Sequence, residues 1–183
     1  LEWSRIEPEP RRIAADAVEH YHQVLASLMR HGLKPLVTLH HFTSPRWLMK
    51  LGGWTGKETP ARFARYCEFV MKQLGSLIPY VCTLNEVNLP DLLNVLMPAR
   101  NRHDTAAPVG ASGTGTTSWT ERAALEFGLQ DVKDFHAFPY TYLNEGNFVE
   151  TALEAHRQAR AIIRQVSPNS KVGFTLALGD LQL

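Results

Sequence analysis

A carboxylic acid and two amides stand together where an apolar segment of this chain ends. The segment is Tyr80–Leu84, and Asn85, Glu86 and Asn88 follow it almost directly. An apolar run of this length predicts a strand buried on both faces. An acid at the end of such a strand, beside hydrogen-bonding amides, could exchange a proton with the oxygen of a bound sugar. Glu86 is therefore a candidate general acid/base, and a salt-bridged structural acid is the alternative.

Imidazole and indole rings follow or surround a second apolar run. This run, 36–42, carries His40 and His41 near its end. Because successive strand residues point to opposite faces, only one of these histidines can readily face a ligand, and a metal site built from both is not expected. Indoles could stack on the C–H faces of a sugar or simply cover the rim of the sheet. They occur at Trp47 and Trp54, after this run, and at Trp3 in the first predicted strand.

Strands and helices alternate along the chain. The residue pattern predicts strands at 1–6, 36–42, 80–84 and 171–178 and helices at 14–29, 59–74 and 147–163. Strict alternation with apolar strands predicts a parallel sheet, either doubly wound or part of a (β/α)8 barrel, with ligands at the carboxyl ends of the strands. Neither a G-x-G-x-x-G nor a G-x-x-x-x-G-K-[ST] pattern occurs, which disfavours nucleotide-binding versions. Thr59 is predicted to cap the second helix.

The region 90–146 shows no clear periodicity. Residues 108–117 are rich in Gly, Ala, Ser and Thr, and predict a flexible loop. Short helices are candidates at 91–97 and 120–127. A connection of this length is often functional or disordered.

Composition excludes several classes of function. The 183 residues include 19 basic and 18 acidic ones, giving a net charge of +1, so neither a nucleic-acid nor an anionic-membrane partner is expected.

Cys67 and Cys82 are predicted to be buried free thiols. The start of the chain shows no leader pattern, but it resembles the middle of a protein and says little about secretion. The compartment stays open, with the cytoplasm as the working expectation.

The motifs resemble, in order, those of glycoside hydrolase family 1, the retaining β-glucosidases and β-galactosidases. The segments 1–8 and 37–45 resemble the second and third barrel strands, and 52–54 the element that follows. Thr83-Leu84-Asn85-Glu86 resembles the T-x-N-E motif that ends the fourth strand. Residues 155–159 and 172–175 resemble the fourth helix and fifth strand. The resemblance implies a partial (β/α)8 barrel, with 1–183 as a single partial catalytic domain.

The resemblance also implies roles for particular residues. Glu86 would be the acid/base, Asn85 would bond the sugar 2-hydroxyl, and His41 another hydroxyl of the same sugar. Trp54 and Asn88 are further substrate-binding candidates. Val87 stands where the family usually has proline, and Phe42 where it often has tryptophan; both leave sugar preference open. No metal or organic cofactor is implied.

The second carboxylate of the mechanism is expected elsewhere. Retaining hydrolysis needs a nucleophile about 5–5.5 Å from the acid/base, and the family carries it in a T-E-N-G motif on the seventh strand. This chain has no such motif, and the Asn144-Glu145-Gly146 sequence lacks a preceding apolar strand. The sequence thus predicts a β-glycosidase chain with the acid/base but without the nucleophile. The expected partners are a β-glycoside or oligosaccharide substrate and either the missing remainder of the barrel or a second copy of the chain, because open sheet edges promote association. The alternatives are a non-catalytic truncated barrel that binds carbohydrate or a partner, and another (β/α)8 glycosidase with an Asn-Glu pair.

Overall fold

A computed structural model gives the structure of this chain and describes residues 1–89 and 148–178. The strands are β1 (Leu36–His40), β2 (Tyr80–Leu84) and β3 (Lys171–Gly173). The helices are α1 (Trp3–Ile6), α2 (Ala15–Arg30), α3 (Arg46–Lys50), α4 (Thr59–Leu74) and α5 (Phe148–Val166), with 3₁₀ turns at Gly53–Thr55 and Gly75–Leu77. The predicted loop, its two candidate helices, the Asn144-Glu145-Gly146 sequence and Asn147 as a helix start lie outside the described residues.

The three strands form one parallel sheet, as predicted, and their order in it is β1-β2-β3. Val37 pairs with Val81, and Val81 pairs with Val172, so β2 is the central strand. Helix α4 connects β1 to β2, which is the crossover that parallel neighbours require. All three carboxyl ends therefore meet at one edge, beside Glu86.

The core lies between the sheet and the helices α4 and α5. The two helices pack closely against each other, and α5 also contacts β2 and β3. Close approach is possible because the buried face of α5 consists largely of alanine, at Ala152, Ala155 and Ala159. Bulkier side chains of α4, among them Phe63 and Met71, fill the space opposite. Small residues facing large ones allow the dense packing of protein interiors.

The first predicted strand was wrong. Only the start of the 1–6 segment is extended, and Trp3–Ile6 forms a helical turn closed by the Glu7 amide, which donates to the Trp3 carbonyl over 2.8 Å. Trp3 and Ile6 are both fully buried. Residues three apart share a face of a helix but point to opposite faces of a strand, so the helix buries both side chains.

Two further boundaries differ from prediction. Thr59 is the first residue of α4 rather than its cap, because its hydroxyl donates to the Gly53 carbonyl and Glu58 occupies the cap position. Strand β3 ends at Gly173, not at Leu178. Beyond Gly173 the chain stays beside β2 through bonds that largely involve side chains.

Two smaller sequence observations have structural counterparts. Cys67 and Cys82 are buried and unbridged, as predicted. Within the described ranges, none of the helices combines the length and the apolar character needed to span a bilayer.

Candidate active site

Glu86 lies just beyond the carboxyl end of the central strand. Its backbone adopts φ +48°, in the left-handed region, which a residue with a side chain adopts only where the surroundings hold it there. The preceding residue is still attached to β1, because the backbone amide of Asn85 donates to the backbone carbonyl of His40 over 3.1 Å. The chain thus leaves the sheet at Glu86, a residue that is half-buried.

Thr175, two residues after β3, contacts three successive residues at the end of β2. Its amide donates to the Leu84 carbonyl over 3.1 Å. Its hydroxyl donates to Asn85 Oδ1 over 2.9 Å and accepts the Glu86 amide proton over 3.0 Å. Asn85 and Glu86 are therefore held from both neighbouring strands.

Asn88 holds the same segment slightly further on. Its Nδ2 donates to the Ala177 carbonyl over 2.9 Å, and its Oδ1 accepts the Ala177 amide proton over 2.8 Å. The side chain thereby imitates a strand partner where the backbone ladder has ended. Because both ends of the amide serve the protein, this placement favours a supporting role over the predicted substrate contact.

His40, the last residue of β1, and His41, directly after it, have opposite environments. His41 is exposed, whereas His40 is buried against the rings of Trp54 and Phe63. His40 Nε2 and Ser44 Oγ are 2.9 Å apart, while His40 Nδ1 has no hydrogen-bond partner within the described ranges.

The environment of His40 keeps its ring neutral. Burial lowers the pKa of His40 to about 3, and the neighbouring charge of His41 adds to this effect. An imidazolium would carry a second proton on Nδ1 with no acceptor among the described residues, which opposes protonation in the same sense.

The indoles belong to the core. Trp54 is 1% exposed, and its Nε1 donates to Ser44 Oγ over 3.0 Å. Trp3 stacks on Tyr66 with ring centroids 5.1 Å apart, and Trp47 meets the edge of Trp3. A ring that stacks on sugar needs an open face, so these positions do not fit the predicted carbohydrate surface. Burial at Trp54 in particular does not fit its predicted role in substrate binding.

Glu7, a buried acidic residue, holds two of these indoles, Trp3 and Trp47. Glu7 is 2% exposed, and its carboxylate accepts hydrogen bonds from Trp3 Nε1 at 2.8 Å, the Arg11 amide at 2.7 Å and Arg65 Nη2 at 2.5 Å. Its carbonyl accepts from Trp47 Nε1 at 2.9 Å. Arg65 also makes the ion pair that compensates the buried charge. Glu7 thus ties the buried rings of Trp3 and Trp47 to Arg65 of α4.

Thr83 performs a similar supporting role on the helix side of β2. Its hydroxyl lies 2.8 Å from His156 Nδ1 and donates to the Gly173 carbonyl over 3.2 Å. His156 also meets Phe174 edge-on, and burial together with the charge of Arg160 lowers the pKa of His156. These contacts tie α5 to the two strands below the site.

Sequence reasoning missed Thr175, Ser44 and Glu7. A signal existed for Thr175, because extending the β2–β3 register places it opposite Leu84. Ser44 and Glu7 offered none, since their partners are distant in sequence or buried by tertiary packing. Among the described residues, no group of three or more metal-binding side chains converges.

The fold and the site together define a class: a parallel α/β barrel segment with a carboxylic acid at the end of its central strand. The profile described as Glycosyl hydrolase family 1 matches residues 1–98, more than half of the chain. The chain belongs to glycosyl hydrolase family 1, and its fold is a partial (β/α)8 barrel, as predicted.

Relatives share both sequence and structure. Over 91 residues the chain is 35% identical to Beta-glucosidase 11 of Arabidopsis thaliana, covering 49% of this chain and 18% of that protein. It is 35% identical to 6-phospho-beta-galactosidase 1 of Streptococcus pneumoniae, covering 48% and 18%. The crystal structure of beta-glycosidase BGL167 matches 97% of this chain and 40% of its own, with 38% identity and a TM-score of 0.75. The chain therefore spans well under half the length of these proteins.

Proposed function

We propose that this chain is the acid/base-bearing part of a retaining β-glycosidase that acts on β-glucosides. The observation that carries the proposal is Glu86 itself. It is a half-buried acidic residue just beyond the carboxyl end of the central strand of the sheet, and its left-handed backbone is bonded to the Thr175 hydroxyl, which also bonds Asn85. The family and the names of its relatives support the glycosidase class.

In the proposed reaction, two carboxyl groups divide the work. Glu86 gives its proton to the glycosidic oxygen while a second carboxylate forms a bond to the anomeric carbon and the alcohol leaves. Ionised Glu86 then takes a proton from water, whose oxygen displaces the second carboxylate and releases the sugar. Asn85 would bond the sugar 2-hydroxyl, and exposed His41 another hydroxyl.

The second carboxylate would come from beyond the described residues. In the described segments that follow the strands, 41–45, 85–89 and 174–178, Glu86 is the one carboxylate. We place the nucleophile outside this chain, because the sequence contains no T-E-N-G motif. The 1–183 segment would then be one partial catalytic domain whose turnover requires the remaining barrel.

The test compares Glu86→Gln with the parent in the natural protein. The isosteric amide keeps the shape but cannot give a proton, so kcat/KM for an unactivated alkyl β-glucoside should fall by about 10²–10⁴. The loss should be much smaller for a dinitrophenyl β-glucoside, whose leaving group needs no protonation. Azide should restore turnover of this substrate in the variant, because an anionic nucleophile needs no general base.

A matched control removes a different carboxylate. Glu68 pairs with Lys72 over 2.6 Å on the outer face of α4, so Glu68→Gln should leave both substrates unaffected. Equal rates of the parent and Glu86→Gln on the alkyl glucoside would refute the acid/base assignment. Retention is tested separately by NMR, which should show the β-anomer of the sugar as the first product.

Binding without turnover is the second candidate, and the single carboxylate of the described strand ends favours it. In that case calorimetry would detect β-glucoside binding by the natural protein while no reducing sugar appears. The intact mass of that protein separates the readings, since a mass near 20.6 kDa leaves no room for a closed barrel.

Sugar preference is tested with a panel of glucosides, galactosides and 6-phosphorylated glycosides.

A further inference from the structure

We propose that Thr175 is a positioning residue that fixes the two groups acting on the sugar, the amide of Asn85 and the backbone that carries Glu86. This inference rests on the proposed function. It adds a residue that lies two positions after β3 and whose hydroxyl would act on the sugar only through Asn85 and Glu86.

The geometry of the Thr175 hydroxyl carries the inference. A hydroxyl has one proton to donate and can accept at its lone pairs. Here the proton is directed at Asn85 Oδ1 over 2.9 Å, and the oxygen accepts the Glu86 amide proton over 3.0 Å. One atom thus links the side chain of one site residue to the main chain of the next. Rotation of the Asn85 amide, or of the Glu86 peptide, breaks one of these bonds.

The backbone of Glu86 needs such a contact. Residue 86 lies beyond the last paired position of β2 and adopts φ +48°, so no ladder bond from β3 holds its amide. Unfavourable backbone conformations persist where neighbouring structure over-determines them, and they are common at active sites. The Thr175 hydroxyl takes the place of the missing ladder acceptor. Thr175 itself is fixed by its own amide, which donates to the Leu84 carbonyl over 3.1 Å.

The neighbouring Asn88–Ala177 pair keeps Thr175 in register. The reciprocal bonds of 2.9 and 2.8 Å hold the chain two residues after Thr175. Loss of the Thr175 hydroxyl should therefore leave the segment in place and loosen only Asn85 and Glu86. This separates a positioning effect from loss of the local fold.

The test is Thr175→Val in the natural protein, which keeps the shape and removes the hydroxyl. Its kcat/KM on an alkyl β-glucoside should fall by about tenfold, the loss expected when a site hydrogen bond is removed. Thr175→Ser, which restores a hydroxyl, should return the rate to within about twofold of the parent. On the matching 2-deoxy-β-glucoside, which lacks the group assigned to Asn85, the loss should shrink to about threefold or less, because only the effect through Glu86 remains.

Thr83→Val is the matched control. It also removes a threonine hydroxyl with two partners on this sheet, His156 Nδ1 and the Gly173 carbonyl, but it contacts neither Asn85 nor Glu86. Equal losses in the two valine variants, or a Thr175→Val loss that is the same with and without the 2-hydroxyl, would overturn the inference. If Thr175→Val does not fold, Thr175→Cys, which keeps only a weak donor, takes its place with the same comparisons.

The outcome for Glu86→Gln separates this inference from the proposed function. A large leaving-group-dependent loss in Glu86→Gln with no loss in Thr175→Val refutes only the role of Thr175. An unchanged rate in Glu86→Gln refutes the acid/base assignment and the inference that rests on it.

Discussion

Protonation of His40 is expected to destabilise the fold in mild acid. Burial lowers the pKa of His40 to about 3 from the ordinary 6.5. The unfolded chain therefore binds a proton at this residue more readily than the folded chain does, and stability falls as the pH drops from 6.5 towards 3. Above pH 6.5 the ring is neutral in both states, so the free energy of unfolding suffers no loss from His40 there.

The magnitude follows from the two pKa values. Each pH unit below 6.5 costs about 1.4 kcal/mol of unfolding free energy, so the change from pH 7.5 to pH 5.0 costs about 2 kcal/mol. With a urea dependence of about 2 kcal/mol per molar, the unfolding midpoint should move by about 1 M. The groups packed on the ring are the neutral rings of Trp54 and Phe63, and His41 is the adjacent titratable neighbour.

The assay is urea unfolding of the natural protein at pH 7.5 and 5.0, in the parent and in His40→Gln. The variant should lose the His40 share of the pH dependence, whatever its stability at pH 7.5, because glutamine does not titrate. His41→Gln removes an exposed histidine and the smaller cause of the lowered His40 pKa, so it should keep most of the parent's pH dependence, because burial is the larger cause. The reasoning is refuted if parent and His40→Gln lose the same free energy between the two pH values.

Two further predictions concern the support of the site. Arg65→Met should reduce the free energy of unfolding by about 2–3 kcal/mol, because the buried Glu7 carboxylate loses its ion pair. The same change in a Glu7→Gln background should cost clearly less, as measured by a double-mutant cycle in urea; equal costs would contradict the pairing. Gly75→Ala should destabilise the protein, although alanine is favoured over glycine in helices by about 0.5–1 kcal/mol, because its Cβ would lie 2.8 Å from Ser167 Oγ. Thermal unfolding decides the sign, and a rise in Tm would contradict the clash.

The central elements of the fold are encoded locally. Tyr80–Leu84 was predicted with the bounds that the structure shows, because an apolar run between polar residues leaves little choice of element. Helix α4 ends where Gly75 was predicted to end it. The position of Glu86 at the sheet edge follows from these bounds alone. Its role as the acid/base is still a prediction.

The errors arise where long-range packing overrides local pattern. The sequence of Trp3–Ile6 suits a strand, but burial of both Trp3 and Ile6 on one side requires a helical turn. Trp54 is of a residue type that often stacks on sugars, yet here it is buried, with its indole bonded to Ser44 and packed against the ring of His40. No periodicity in the sequence predicts that Ser44, which lies beside His40, will also accept a hydrogen bond from the indole of Trp54. Such partners become visible only in three dimensions.

Glu86 follows the central strand of the sheet, so residues from both sides can hold this part of the chain. Holding the acid is a separate requirement from supplying the second carboxylate of the proposed reaction. The residue before Glu86 is bonded to β1 through the His40 carbonyl, and Glu86 itself is bonded to Thr175 beyond β3. The backbone on both sides of this point is therefore held by groups within the described residues. In the proposed reaction the second carboxylate would come from the far side of a closed barrel, and the three parallel strands of the described residues do not close one. Substitutions at Thr175 should accordingly change how efficiently the proton is transferred. If the proposed mechanism holds, cleavage of the sugar also requires a carboxylate from outside β1, β2 and β3.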